Sequence, residues 1–114
     1  LYQKKAPKEL IKAGEKIFEK LETETLVLHS SKKAIGYNKE GIHSVKTFFV
    51  KNPALSTGAG DNFNAGLCTA QLLGLDMELS LVLANAVAGS YVRSGKNHDL
   101  EGIIKYLQDA TENL

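Results

Sequence analysis

The sequence predicts an α/β fold, with elements in the order α-β-β-β-α-α-α. Two observations carry that reading. Residues 26–50 are short apolar runs and β-branched or aromatic stretches broken by turn residues, whereas both flanks repeat their apolar residues at helical spacing. The helix around Val82 to Val92 is apolar nearly all round, the mark of a helix buried on most sides. Three strands, two of them a hairpin, offer such a helix little cover. The pattern is that of a piece of an α/β domain, with part of its sheet missing or supplied by another chain.

Each element has its own signal. Leu10, Ile11, Ile17, Phe18 and Leu21 follow helical spacing, Pro7 suits the first turn, and residues 23–25 follow the end. Leu26-Val27-Leu28 reads as a short buried strand and Ala34 to Tyr37 as a second. Asn38-Lys39-Glu40-Gly41 has turn chemistry, so Ile42 to Val50, stopped by Pro53, returns as a hairpin strand. Four residues are too few for a parallel crossover. A helix then starts near Asp61, with Phe63, Leu67, Ala70 and Leu73 or Gly74 on one face and Gly74 as its stop. Asp76 caps the apolar helix, with Glu78 in its first turn, and Ser94-Gly95 breaks it. Asp99 caps a last helix carrying Leu100, Ile103, Ile104, Leu107 and Leu114.

Composition narrows the class. The 114 residues correspond to about one domain. A net charge of +1, with basic residues clustered only in pairs, makes no case for nucleic acid. No apolar run approaches the ~18 residues of a membrane span, and the polar start Leu1-Tyr2-Gln3-Lys4-Lys5 is no signal peptide. A single cysteine, Cys68, forms no internal disulfide and has no zinc-ligand spacing around it, which fits a reducing, cytoplasmic setting. It reads as a small core residue. The opening on Leu1 without a methionine reads as a cut through a longer protein.

The chemistry concentrates in LSTGAGDNFNAGL, Leu55 to Leu67. A helix N-terminus exposes unpaired N–H groups and roughly +0.5 charge, and Gly58-Ala59-Gly60 lets an anion approach them without Cβ clashes. Asp61 adds a negative charge beside that anion site. The charge is sensible if Asp61 meets a different atom, as a base does beside phosphate donors in phosphoryl transfer to a hydroxyl. The plainer reading stays open: Ser56, Thr57 or Asp61 caps a helix after a flexible turn. Phe63 stands where a dinucleotide fingerprint needs glycine, and the run from Gly89 to Gly95-Lys96-Asn97 misses the P-loop spacing by one residue.

The segment from Thr57 to Gly66 resembles, without gaps, the C-terminal signature of the ribokinase-like (PfkB) carbohydrate kinases, close to D-T-x-G-A-G-D-x-F-x-A-G. The preceding strand and hairpin and the following Ala-rich helix run as the last third of such kinases does. The resemblance implies a three-layer α/β/α Rossmann-like ribokinase fold, of which residues 1–114 are the C-terminal part of a single domain. It implies ATP-dependent phosphoryl transfer to a sugar hydroxyl, with Asp61 as catalytic base and the amides of Gly58, Ala59 and Gly60 as an anion hole for the γ-phosphoryl. It also implies ATP, Mg²⁺ and, in many members, a monovalent cation. The partners expected are a small sugar and ATP, with self-association or contact with the rest of the parent chain, and no nucleic acid or membrane. Sugar contacts lie in the family's N-terminal part, so the 114 residues alone are expected to be inactive.

The nucleotide loop of the family usually reads T-x-G-x-x-G. Here the run is His29-Ser30-Ser31-Lys32-Lys33-Ala34, with Ser31 and Ala34 at the glycine positions, and Leu55 stands at the signature's first acid. Ser31, Ala34 and Asn85 are the nucleotide-binding candidates. Those departures motivate an alternative, a non-catalytic nucleotide-binding or regulatory module of the same fold. Asn62 and Asn64 read as capping or surface residues, or as groups that orient Asp61 or a ligand. Asn85 reads as either a nucleotide contact or an internal hydrogen bond. His29, His43 and His98 read as structural or exposed, and no metal-ligand set is expected.

Overall fold

The computed structural model describes residues 8–48 and 50–112. The elements are α1 (Lys8–Leu21), β1 (Leu26–His29), β2 (Lys33–Asn38), β3 (Gly41–Lys46), α2 (Ala59–Leu72), α3 (Met77–Ser94) and α4 (Leu100–Glu112), in the predicted order. Pro7 and Leu114 lie outside the described residues.

Both strand connections are antiparallel hairpins, giving the sheet order β1-β2-β3. Ser30 shapes the first turn: its hydroxyl oxygen accepts the Lys32 and Lys33 N–H groups at 3.2 Å each, and its own N–H reaches the Lys33 carbonyl at 2.8 Å.

The middle strand is buried on both faces, since successive side chains point to opposite sides. Ile35 and Tyr37, with Leu26 and Leu28 beside them, pack under Ile11 and Phe18 of α1. The Tyr37 hydroxyl donates to the Ile11 carbonyl at 3.0 Å, which satisfies the hydroxyl that this burial encloses. On the other face Ala34, flanked by Val27 and Val45, meets Phe63 of α2 and Met77, Leu81 and Ala84 of α3. The result is three layers: α1, the sheet, and the α2–α3 pair with α4 behind α3. Full burial of residues such as Ile35 and Leu81 contributes about 1.5–3 kcal/mol each.

The third strand ends at Lys46, four residues short of the expected Val50. The Thr47 N–H still bonds the Lys32 carbonyl at 3.1 Å, one rung further in the same register, and its hydroxyl donates to the Ser31 carbonyl, but β2 begins only at Lys33, so the chain beyond Thr47 has no strand to pair with. The β-branched and aromatic residues after it are apolar for another reason: Phe48 and Val50 wall a cleft.

Helix α3 is covered more fully than its sequence suggests. Leu81, Ala84 and Ala86 are fully buried, because β2, β3, α2 and α4 all pack against this helix. Gly66 of α2 allows the close approach. A Cβ there would lie 2.9 Å from the Ala84 Cα and 3.0 Å from the Val87 Cγ2. Helix α2 stops as expected at Gly74, where the Gly74 and Leu75 N–H groups close on the Gln71 and Ala70 carbonyls in a Schellman pattern. Leu73 belongs to that stop and not to the buried face, and it is exposed along with Leu72. Cys68, expected in the core, is exposed on α2. Asp76 caps α3 through the Leu79 N–H at 2.8 Å, and Asp99 caps α4 through the Gly102 N–H at 2.9 Å. Among the described residues no helix is long and apolar enough to cross a membrane.

Candidate functional site

The glycine-rich segment forms the start of α2. The helix begins at Ala59, two residues before the expected Asp61, so Ala59 and Gly60 already lie in its first turn. Gly58 is the N-cap. Its φ of 95° and ψ of −2° lie in left-handed territory, where a side chain is strained, and no side chain caps the helix. The Ala59 N–H turns back to the Ser56 carbonyl at 3.1 Å. The Asn62 N–H and its side-chain Nδ2 both donate to the Gly58 carbonyl, at 3.0 and 2.9 Å, which gives Asn62 the structural role expected of it. The N–H groups of Gly60 and Asp61 meet no acceptor among the described residues. Asp61 is exposed on this same turn, and so is Asn64 on the next.

This helix start borders a cleft of about 460 Å³. One wall is the β1–β2 turn with His29, Ser30 and Ser31, and another is the loop carrying Thr47, Phe48 and Val50. Ala59, Gly60 and Phe63 of α2 form the third side, and Asn85, Ala88 and Val92 of α3 the floor. Apolar walls with a few convergent polar groups are what small-molecule sites share.

The structure brings most of the sequence-derived candidates to this cleft. Ser31 lines it from the turn, Ala59 and Gly60 line it from the helix start, and Asn85 lines it from α3. Gly58 and Asp61 flank the lining residues along the chain. Asn85 makes the internal hydrogen bond that was one of its two readings. It is 3% exposed, it borders the cleft, and its Nδ2 donates to the Lys46 carbonyl at 3.2 Å, which fixes the amide in place. Ala34 is not brought there. It faces α2 and α3 from the middle strand with 0% exposure, inside the core.

Several cleft residues escaped the sequence reading. The His29 ring stacks on Phe63, with centroids 4.2 Å apart and planes 15° from parallel, so it walls the cleft beside Gly60. Phe48 is held edge-on by Tyr106 of α4 at 5.6 Å. Burial raises the Tyr106 pKa above the usual tyrosine value of 10.0, against a smaller opposing pull from Arg93. His98 hydrogen-bonds the Ser94 hydroxyl at 2.9 Å, away from the cleft, and half-buried His43 carries an Nε2 with no partner among the described residues. The one available signal for Phe48 was its aromatic, β-branched run, which strand propensity explained equally well.

Comparison with known proteins places this geometry. The family model for prokaryotic ketohexokinase matches residues 2–110. A ketohexokinase of Haloferax volcanii is 42% identical over 67 residues, 59% of this chain and 18% of that protein. The ribokinase of Thermotoga maritima superposes with a TM-score of 0.72 at 26% identity, over 85% of this chain and 34% of its own. An Escherichia coli apo structure assigned as ribokinase II gives a TM-score of 0.72 at 21% identity, over 94% and 34% of the two chains, and speaks for the fold. The chain thus spans about a third of the length of those ribokinase structures. It carries a segment of the ribokinase-like α/β fold and belongs to the prokaryotic ketohexokinase family, within the PfkB carbohydrate kinases.

Proposed function

We propose that this chain supplies the acceptor-activating base, the phosphate-facing amides and much of the nucleotide cleft of an ATP-dependent ketohexose kinase, the activity belonging to the full-length protein. The observation that carries the reading is the turn at Gly60 and Asp61: two N–H groups without acceptors among the described residues, at the positive end of α2, share one helical turn with an exposed carboxylate.

The chemistry follows from that turn. The Asp61 carboxylate takes the proton of a sugar hydroxyl as its oxygen attacks the γ-phosphorus. The new O–P bond forms as the bond to the β-phosphate oxygen breaks, leaving ADP and a sugar phosphate. The Gly58, Gly60 and Asp61 amides face the charge that builds on the transferring phosphoryl oxygens. The Ala59 amide is diverted to Ser56 and serves the turn instead. Phe48 and Val50 give the base of the nucleotide an apolar wall, while Ser31 and Asn85 offer polar groups at its edge.

Mg²⁺ accompanies such nucleotides, neutralising phosphate charge with few protein ligands. Among the described residues no group of three His, Cys, Asp or Glu side chains gathers, so they form no cage for it. A monovalent cation belongs to the same proposal, though Leu55 offers it no side-chain oxygen.

The test is a coupled ADP assay of the full-length protein with ATP and a panel of hexoses that includes D-fructose. Turnover on a ketohexose supports the reading. ATP binding without turnover on any sugar overturns it in favour of a non-catalytic nucleotide-binding module of the same fold.

A further inference from the structure

We propose that Tyr91 is a positioning residue of the site: its hydroxyl and ring hold the Gly58 turn so that the Gly60 and Asp61 N–H groups stay free to meet a phosphoryl group. The proposal rests on the kinase reading above.

Four observations converge on it. The Tyr91 hydroxyl donates to the Thr57 carbonyl at 2.8 Å, across 34 residues of sequence. The N-cap Gly58 has no side chain to fix its own turn, and the space beside it is filled by Tyr91. A Cβ at Gly58 would stand 2.9 Å from the Tyr91 Oη and 3.4 Å from its Cε1 and Cζ. The next residue on α3 ties down the approach to the turn, since the Val92 carbonyl accepts the Ala54 and Leu55 N–H groups at 2.9 and 3.3 Å. One turn of α3 therefore braces residues 54–58.

The Thr57 carbonyl matters for a specific reason. In an α-helix the N–H of residue i bonds the carbonyl of residue i−4, so Thr57 is the natural acceptor for the Asp61 N–H. The Tyr91 hydroxyl holds the Thr57 carbonyl toward α3, and the Asp61 N–H makes no bond to it. Ser56, the corresponding acceptor for the Gly60 N–H, turns to the Ala59 N–H instead. Both donors are left for an outside anion, and neither has to break an internal bond to reach it. Preorganisation of this kind acts most strongly where charge develops in the transition state.

The experiment uses the full-length protein, wild type and Tyr91→Phe, with ATP and D-fructose. The variant keeps the ring and deletes the hydroxyl alone. We expect kcat to fall by roughly 10–100-fold, the range reached when a site is misplaced by about 1 Å. The KM values for ATP and fructose should stay within about twofold, as for an interaction made in the transition state. Thermal midpoint should move by no more than about 2–4 °C. In ¹⁵N-labelled protein the amide resonances of Gly58, Gly60 and Asp61 should shift between wild type and variant. A kcat within about twofold of wild type, or unchanged resonances at these three amides, overturns the proposal. So does a loss in which kcat, both KM values and the thermal midpoint all collapse together, the signature of a merely structural tyrosine. If wild type leaves fructose and the other hexoses untouched, the kinase reading fails by itself, and the three amide resonances then decide the Tyr91 assignment alone.

Discussion

Gly58→Ala is the perturbation that separates backbone strain from loss of the brace on the site. Gly58 at φ 95° and Gly74 at φ 77° are two of the four positive-φ glycines among the described residues. A Cβ at Gly74 meets nothing within 4 Å, so Gly74→Ala carries the strain of the backbone alone, about 1–2 kcal/mol. At Gly58 the same strain is joined by a Cβ 2.9 Å from the Tyr91 Oη. The phenol ring is rigid, so its hydroxyl has to swing away and release the Thr57 carbonyl, a further net loss of about 0.5–1.5 kcal/mol. Gly58→Ala should therefore destabilise by about 1.5–3.5 kcal/mol, from the same left-handed strain plus the lost bond. Urea unfolding of the two full-length variants measures the difference, and a coupled ADP assay measures its effect on turnover. Gly74→Ala should keep wild-type kcat, because its turn lies at the far end of α2 from the cleft. Equal destabilisation of the two variants, with kcat retained in both, would refute the reasoning.

The remaining expectations address the base, the helix contact and the sheet. Asp61→Asn keeps a side chain of the same size on the first turn of α2, so thermal midpoint and ATP affinity should hold while kcat drops by ~10²–10⁴-fold; calorimetry beside the coupled assay checks both. Gly66→Ala forces a Cβ against the Ala84 backbone at 2.9 Å. It should cost about 1–3 kcal/mol in urea unfolding, as overpacked sites do. Tyr37 has its pKa raised above 10.0, by burial first and by the Glu15 carboxylate second. The folded state thus favours the protonated phenol, a contribution present below pH 10 and lost as pH rises through the raised folded value. Stability followed from pH 9 upward should fall, and Tyr37→Phe should flatten part of that fall.

Much of this protein was legible in its sequence because the signals were local. Helical spacing from Leu10 to Leu21, the turn at Asn38-Lys39-Glu40-Gly41 and the caps at Asp76 and Asp99 each depend on neighbours within a few residues, and each element stands where it was expected. The Thr57–Gly66 signature named the family for the same reason: its glycines and acid act through one helical turn. The tertiary structure decided what distant residues do to one another. The strand propensity after Lys46 went unused because β2 begins only at Lys33 and offers nothing further to pair with, and Thr47, Phe48 and Val50 became a cleft wall. Ala34, aligned with a nucleotide-loop glycine, went into the core because β2 has helices on both faces. Asn85 was fixed by the Lys46 carbonyl 39 residues away, and Tyr91 reached Thr57 across 34. Contacts at such separations leave no periodicity and no local composition behind, since their geometry is set by how α3 packs against the sheet and α2, and only the folded chain contains it.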